Sequence, residues 1–406
     1  MSTQTPVLPL YVRSIGANQN EVGVIMGAFA IGLVLSRPVL GQIADRQSRI
    51  RVLRIGAIVA FIAPLLYIVT TDFSQLFSIR IFHGISIAAF TTGYISLVTD
   101  IAPADRRGEI FSYMSLATPL GLGLGPLFGE SIYENYGSTH LWIMASVFCG
   151  LSLCLSLPVR DQYKQGNMAN NPPEKTPKTT LIQPKKRLNS MQLCPKFWSA
   201  LGEPRLRVPT LIMVLMGLIL GIVITFLPLF IDSLSISFRA GWFFSGSAVA
   251  SFAVRPFVGT RSDRWGRGPF ICFALLAYVV SMLILSQAMM GVAFLAAGLL
   301  EGIGSGCLLP TVIALVSDRG LPQERGHLMA LCIGGFDLGM AIAGPLFGAS
   351  TLWLGYHHLF LLASVLGGFA LIIFLTTNSQ TPRLSLLFAF GKTHDRYAIS
   401  ESSYVD

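Results

Sequence analysis

The sequence predicts an all-helical membrane protein that crosses the bilayer many times and is built from two related halves. Of its 406 residues, 52% are hydrophobic and only 12% are charged, whereas a soluble domain carries about a quarter charged residues. Residues 135–159, 208–231, 268–300 and 338–382 contain no Asp, Glu, Lys or Arg. Each run is long enough for a spanning helix of about 20 residues, and the last two can each supply more than one. The third observation is an internal repeat, described below.

Apolar runs bounded by charges, Pro/Gly clusters or polar turns predict eleven complete spanning helices. These helices lie near residues 22–44, 52–70, 74–99, 109–130, 139–158, 206–231, 240–260, 269–288, 291–316, 327–350 and 353–376. We therefore expect an N-terminal bundle over residues 1–158, a basic cytoplasmic linker over 159–205, a C-terminal bundle over 206–378 and a cytoplasmic tail over 379–406.

The basic residues fix the orientation of the predicted helices. Of the 29 Lys and Arg residues, 24 fall in alternate loops, the linker and the tail, against only Arg13 and Arg239 in the opposite loops. The positive-inside rule places the basic set in the cytoplasm. Basic residues do not cluster with aromatic ones, and cysteines show no metal-like CxxC spacing, so nucleic-acid binding and a metal centre are not expected.

An internal repeat relates the two predicted bundles. The segment from Arg37 to Arg46, RPVLGQIADR, recurs from Arg255 to Arg264 as RPFVGTRSDR, at an offset of 218 residues, and GPLFG recurs at residues 125–129 and 344–348. Parallel repeats of about six helices characterise one large class of secondary transporters, whose substrate site lies between the halves near the bilayer midplane.

The repeat also predicts that the first helix is largely missing from the N-terminus. Residues 9–12 match residues 228–231 at the end of a complete helix, and the counterpart of that helix would begin before residue 1. We expect only the outer end of the first helix within residues 1–20. No charged n-region, apolar h-region or cleavage site precedes it, so it does not read as a signal peptide.

Two copies of a glycine-acid-arginine pattern occupy equivalent cytoplasmic loops. They comprise Gly41, Asp45, Arg46 and Arg49 in the first half, and Gly259, Asp263, Arg264 and Arg267 in the second. Glycine permits close helix approach, and the carboxylate can meet the positive N-terminus of a neighbouring helix. The pattern resembles the loop motif of the major facilitator superfamily, although Ser48 stands where glycine is usual. The resemblance covers essentially the whole chain and implies a cytoplasmic gate; the alternative is a positive-inside loop with no further role.

Arg80 lies inside a predicted helix, where an arginine is costly and normally faces the bundle interior. Its surroundings, LFSIRIFHG over residues 76–84, are similar to an arginine motif of the same family, which implies a role in proton transfer in antiporters. The alternative is that Arg80 extends to the outer membrane surface.

Gly121, Gly125, Pro126 and Gly129 form a glycine-proline pattern on the next predicted helix. Glycines four residues apart make a flat face for close packing, and proline leaves a bend. The pattern resembles a motif that the family associates with exporters, with Glu130 where a second glycine is common. Ordinary helix packing is the alternative.

Three further titratable residues lie near the middle of predicted helices. His83 and Glu301 are repeat equivalents at an offset of 218. Asp337 lies at similar depth on the eleventh helix, when the partial first helix is counted as helix 1. A carboxylate in such a place can carry a proton at physiological pH. With Arg80, these residues are the candidates for proton coupling. The alternatives are carboxyl groups that brace helix contacts and a core histidine.

Met and aromatic side chains give adaptable apolar surfaces that suit varied substrates. The candidates for the substrate cavity are Tyr94, Met114, Phe226, Phe336 and Met340. Ordinary helix packing is the alternative for all five.

These patterns predict a secondary active transporter of the plasma (inner) membrane that works by alternating access. We expect proton-coupled export of small amphipathic or sugar-like molecules by a monomer whose partners are that small-molecule substrate, protons and the lipid bilayer. No catalytic residues, cofactor, metal or nucleic-acid partner are expected. A facilitator or importer, an inactive truncated transporter and a membrane-embedded enzyme are the alternatives.

Overall fold

The computed structural model describes residues 2–101, 117–159, 202–320 and 325–399, and throughout these ranges the regular secondary structure is helical. A 3-10 turn (Ser2–Gln4) precedes twelve helices: α1 (Val7–Ser14), α2 (Gln19–Arg46), α3 (Arg49–Ile68), α4 (Phe73–Ile101), α5 (Ala117–Tyr136), α6 (Ser138–Ser156), α7 (Pro204–Ser233), α8 (Ala240–Trp265), α9 (Arg267–Ser286), α10 (Gly291–Asp318), α11 (Arg325–Thr377) and α12 (Pro382–Ala389).

The all-helical, multi-spanning prediction is confirmed. Eight segments in the described ranges are long and apolar enough to cross a membrane, and the longest of them, residues 331–377, has 47 residues. Because a span needs about 20 residues, that segment is long enough for two. Large apolar side chains such as Leu35, Val147 and Phe273 are exposed, as expected for helices that face lipid.

The sequence repeat corresponds to a repeated packing of helices. A Cβ added to Gly84 of α4 would lie 1.9 Å from the carbonyl oxygen of Phe29 of α2. The equivalent Cβ on Gly302 of α10 would lie 2.0 Å from the carbonyl oxygen of Ser247 of α8. The two crossings are related by the offset of 218 residues. Glycine is required at both crossings because any larger residue would clash with the backbone.

Among the described helices, the most extensive contacts between the halves are those of α2 with α11 and of α5 with α8. On the first seam, a Cβ added to Gly23 would lie 2.2 Å from the carbonyl oxygen of Gly344. On the second, the Ser245 hydroxyl donates a hydrogen bond to the Gly123 carbonyl oxygen. Gly23, Gly344 and Ser245 lie in the outer halves of their membrane spans as the positive-inside rule orients them, so the halves contact each other on the outer side.

The break predicted between residues 350 and 353 lies a few residues further along the chain. The backbone leaves helical geometry at Gly355, where φ is 70°, a conformation that glycine adopts without strain. Ser350 and Thr351 do not end the helix, because their hydroxyl groups donate to the carbonyl oxygens of Phe347 and Gly348 within it. The start of the helix predicted over 109–130 falls outside the described residues, and α5 continues to Tyr136.

Residues 379–399 fold back onto the second half. A Cβ added to Gly268 at the start of α9 would lie 2.0 Å from the carbonyl oxygen of Phe388 in α12. Beyond α12, Asp395 accepts hydrogen bonds from Arg319, which follows α10, at 2.6 and 3.1 Å. Arg319 is fully buried and also donates to the carbonyl oxygen of Arg205 at 2.7 Å. The tail is therefore part of the folded structure of this half.

Candidate functional site

An ion pair crosses the seam between the two halves. The Nη2 atom of Arg37 on α2 lies 2.7 Å from Oδ2 of Asp337 on α11, with side-chain exposures of 29% and 9%. Arg37 is nine residues from the cytoplasmic end of α2, or about 14 Å at 1.5 Å per residue. Sequence reasoning selected Asp337 and missed its partner. The signal for Arg37 was its position, since it is an arginine inside an apolar helix and is repeated at Arg255.

Glu301 lies at the centre of the second half. It is 4% exposed and accepts hydrogen bonds from the hydroxyl groups of Ser247 on α8 and Tyr278 on α9, the latter at 3.3 Å. Its carboxyl group is thus held between three helices by neutral donors. Such a group can take up or release a proton without breaking an ion pair.

His83 occupies the equivalent place in the first half. Its Nδ1 atom lies 3.3 Å from the Tyr67 hydroxyl, and its ring meets the edge of Phe29 with centroids 5.6 Å apart. Phe29 is the repeat equivalent of Ser247. The imidazole and the carboxyl group therefore contact matching positions of α2 and α8. The His83 Nε2 atom is buried and makes no hydrogen bond.

Arg80 does not extend to the membrane surface. It is 8% exposed, and its guanidinium carbon lies 4.6 Å from the centroid of the Phe29 ring. Its Nη2 atom is 4.0 Å from the Met26 sulfur. The structure therefore places Arg80, His83 and Phe29 in one buried cluster, and the cation–π contact partly compensates for the loss of hydration.

The glycine face of α5 packs against the N-terminal segment. A Cβ added to Gly125 would lie 2.2 Å from the Ser2 hydroxyl oxygen, and one on Gly129 would lie 1.9 Å from the Thr3 carbonyl oxygen. Gly121 lies on the same face at a greater distance, and Pro126 lies within the helix. The motif thus accommodates residues 2–4, which correspond to the outer end of the predicted first helix.

Glu130, the departure from the family pattern, joins the outer ends of α5 and α8. Its carboxylate accepts hydrogen bonds from the backbone N–H groups of Ala240 at 3.0 Å and Gly241 at 2.6 Å. One turn further, Glu134 pairs with Arg239 at 2.5 Å. A carboxylate at a helix N-terminus satisfies donors that have no partner within the helix. Sequence reasoning noted Glu130 but did not assign this contact.

The cytoplasmic loop motifs are described only in part, because the side chains of Asp45, Arg46 and Asp263 lie outside the described residues. Gly41 and Gly259 lie in the last turns of α2 and α8, and Arg49 begins α3. Arg264 is exposed. Arg267 begins α9 and pairs with Asp318 at 3.3 Å, so the second copy is linked to the end of α10.

The proposed cavity residues do not share one environment. Phe226 is fully buried in the hydrophobic core and lines no open space in this conformation. Tyr94 stacks on Phe90 with centroids 5.5 Å apart. Phe336 and Met340 are partly buried on α11, where their backbone packs against Gly217 of α7. Met114 lies outside the described residues.

Comparison with known families decides the class of protein. A sequence model of the Major Facilitator Superfamily matches residues 1–241 and again residues 210–392. The chain belongs to this superfamily. It is therefore a secondary transporter and an integral membrane protein that crosses the bilayer many times.

Its relatives include exporters. The staphylopine export protein of Staphylococcus aureus (strain Mu50) is 25% identical over 380 residues, which cover 93% of this chain and 91% of that protein. The quinolone resistance protein NorA of Staphylococcus aureus is 31% identical over 129 residues, and the match spans only 32% of this chain and 33% of NorA.

Solved structures share the fold of this superfamily member. The nucleoside transporter NupG superposes with a TM-score of 0.69 at 12% identity, covering 91% of this chain and 93% of that one. A POT family transporter in complex with a thioalcohol-conjugated peptide gives 0.72 at 15% identity, covering 92% of each chain. At these identities the likeness concerns the fold alone.

Proposed function

We propose that this transporter exports small amphipathic molecules in exchange for protons. The observation that carries the proposal is the Arg37–Asp337 ion pair, because it crosses the seam along which the halves must move during alternating access. When a proton neutralises Asp337, the attraction between α2 and α11 falls. Occupancy by a proton can therefore bias the relative position of the halves.

Glu301 supplies a second place for a proton. Its partners are the hydroxyl groups of Ser247 and Tyr278. Protonation of Glu301 therefore removes its negative charge without leaving a cation unpaired. Protons that enter from outside neutralise Asp337 or Glu301, promote release of substrate and favour return to the inward-facing form.

The direction of transport is supported by the relatives, since the staphylopine export protein aligns over most of both chains. The glycine-proline pattern of α5 also favours export, because it resembles the exporter motif. The alternative is a facilitator or importer, in which flux of the solute needs no pH gradient.

The test is proton movement in everted membrane vesicles with a pH gradient reported by a quenched dye. Drugs, sugars and metabolites are added to vesicles containing the protein, its Asp337→Asn or Glu301→Gln variants, or no transporter. Asp232→Asn is the matched control, because Asp232 is exposed at the end of α7.

Substrate-dependent recovery of fluorescence is expected from the unmodified protein and the control, and should be lost in at least one of the two variants. Equilibration of labelled substrate without any dissipation of the gradient would identify a facilitator and refute proton coupling. Recovery that persists in both variants would exclude these two carboxyl groups as the coupling site.

A further inference from the structure

Arg255 is an arginine within the membrane that the mechanism above does not use. It is the repeat equivalent of Arg37 and lies ten residues from the cytoplasmic end of α8, or about 15 Å. An ionised side chain at this depth is costly and faces the protein interior or an aqueous space. Its position therefore needs a physical explanation.

The two equivalent arginines differ in their partners. Arg37 pairs with Asp337, but the positions equivalent to Asp337 in the first half, at offsets of 219 and 218, are Thr118 and Pro119. Neither residue can carry a negative charge. No ion pair joins Arg255 to a carboxylate in the described parts of the chain, and its Nε atom is buried without a hydrogen-bond partner.

The neighbours of Arg255 on α8 show the direction of its side chain. Ala248 contacts α5, where a Cβ added to Gly123 would lie 3.2 Å from it, and Ser251 contacts α10 at Gly306. Arg255 follows Ala248 by seven residues and Ser251 by four, which places it between these two faces of the helix. It therefore lies on the side of α8 that is turned towards α5 of one half and α10 of the other, and its side chain is partly exposed.

We propose that Arg255 binds an anionic group of the transported molecule, a carboxylate or a phosphate. Guanidinium forms two parallel hydrogen bonds with either group. The negative group that Asp337 provides to Arg37 within the protein is then provided to Arg255 by the substrate. This inference rests on the proposed function, because it assigns the chemical class of the small amphipathic substrate.

The asymmetry between the halves gives substrate binding a physical benefit. The cost of the unpaired charge is present in the empty protein and is relieved when an anion arrives, so binding selects acids over neutral molecules of the same shape. A second internal acid would remove that selectivity by neutralising Arg255 in advance.

The test uses three probes with one aromatic body: 1-naphthoate, 1-naphthyl phosphate and the neutral 1-naphthamide. Their affinities for the purified full chain are measured from thermal stabilisation at millimolar ligand. The variants are Arg255→Gln and Arg255→Lys. The matched control is Arg261→Gln, because Arg261 is exposed on the same helix and lies over the ring of Phe257.

At least one acid should bind more tightly than the amide, and the tighter acid identifies the preferred group. Arg255→Gln should lower the affinity for that acid about tenfold without changing the affinity for the amide. Arg255→Lys should show an intermediate loss, because it keeps the charge without the two-pronged geometry, and it also serves if the Gln variant does not fold. The control should match the unmodified protein.

The proposal is overturned if neither acid binds better than the amide, or if the preference for acids survives in both variants. Because equilibrium binding requires no pH gradient, this result is independent of proton coupling. Selective acid binding in a protein that moves no protons would refute the exchange mechanism and leave the role of Arg255 intact.

Discussion

The Arg37–Asp337 pair allows a quantitative test of coupling between the halves. The perturbation is a double-mutant cycle with Arg37→Gln, Asp337→Asn and the combined variant. Each single change leaves one polar or charged partner without its counterpart in a largely buried place, whereas the combined change removes both charges. The cycle therefore isolates the interaction between the two side chains.

The magnitude follows from the geometry. At a separation of 2.7 Å, Coulomb's law with an effective dielectric constant of about 20 gives roughly 6 kcal/mol of attraction. Desolvation offsets much of this attraction, and the 29% exposure of the Arg37 side chain lets water screen the pair. We expect a net coupling of about 1–3 kcal/mol, or a factor of about 5–150 in an equilibrium constant.

The assay is the free energy of unfolding of the purified variants, obtained by denaturant titration at several pH values. The pair requires an ionised Asp337, so its stabilising contribution is present when the carboxyl group is deprotonated and is lost as falling pH protonates it. A parallel cycle that combines Arg37→Gln with Asp232→Asn serves as the control and should be additive.

Additivity of the Arg37 and Asp337 variants within about 0.5 kcal/mol would refute the reasoning. A coupling that does not change with pH would also refute it, because a proton on Asp337 would then leave the interaction between the halves unaffected.

Three further predictions concern other contacts. Gly344→Val should separate the outer ends of α2 and α11, because its Cβ would lie 2.1 Å from a facing carbonyl oxygen. Spin-label distances between α2 and α11 should lengthen in this variant but not in the control Gly334→Val, whose Cβ would meet nothing within 4 Å. Distances that are the same in Gly344→Val as in the unmodified protein would contradict the predicted clash. Glu130→Gln should lower the unfolding free energy by about 1–2 kcal/mol, because one of the two hydrogen bonds from residue 130 to α8 is lost. Denaturant titration measures this loss, and an unchanged denaturation midpoint would contradict the role of these hydrogen bonds. Asp395→Asn should cost about 3 kcal/mol because Arg319 is fully buried; calorimetry that finds no loss would show that the tail does not stabilise the second half.

The apolar runs and the repeat were sufficient to predict the helices, and the repeated motifs were sufficient to indicate the family, whereas the orientation inferred from the basic loops stays a prediction. These features are local or strictly periodic along the chain, and the requirement to satisfy backbone groups in lipid leaves the helix as the main solution for such runs. Asp337 and Glu301 were also selected as candidates from the sequence alone, because a carboxyl group in an apolar run is unusual at any position.

The partners of these residues depended on how the helices pack. Arg37 and Asp337 are 300 residues apart in the chain, and Glu130 reaches backbone N–H groups that carry no side-chain signature. Composition and periodicity identify which residues are costly to bury, but the position of a neighbouring helix determines what compensates for that cost.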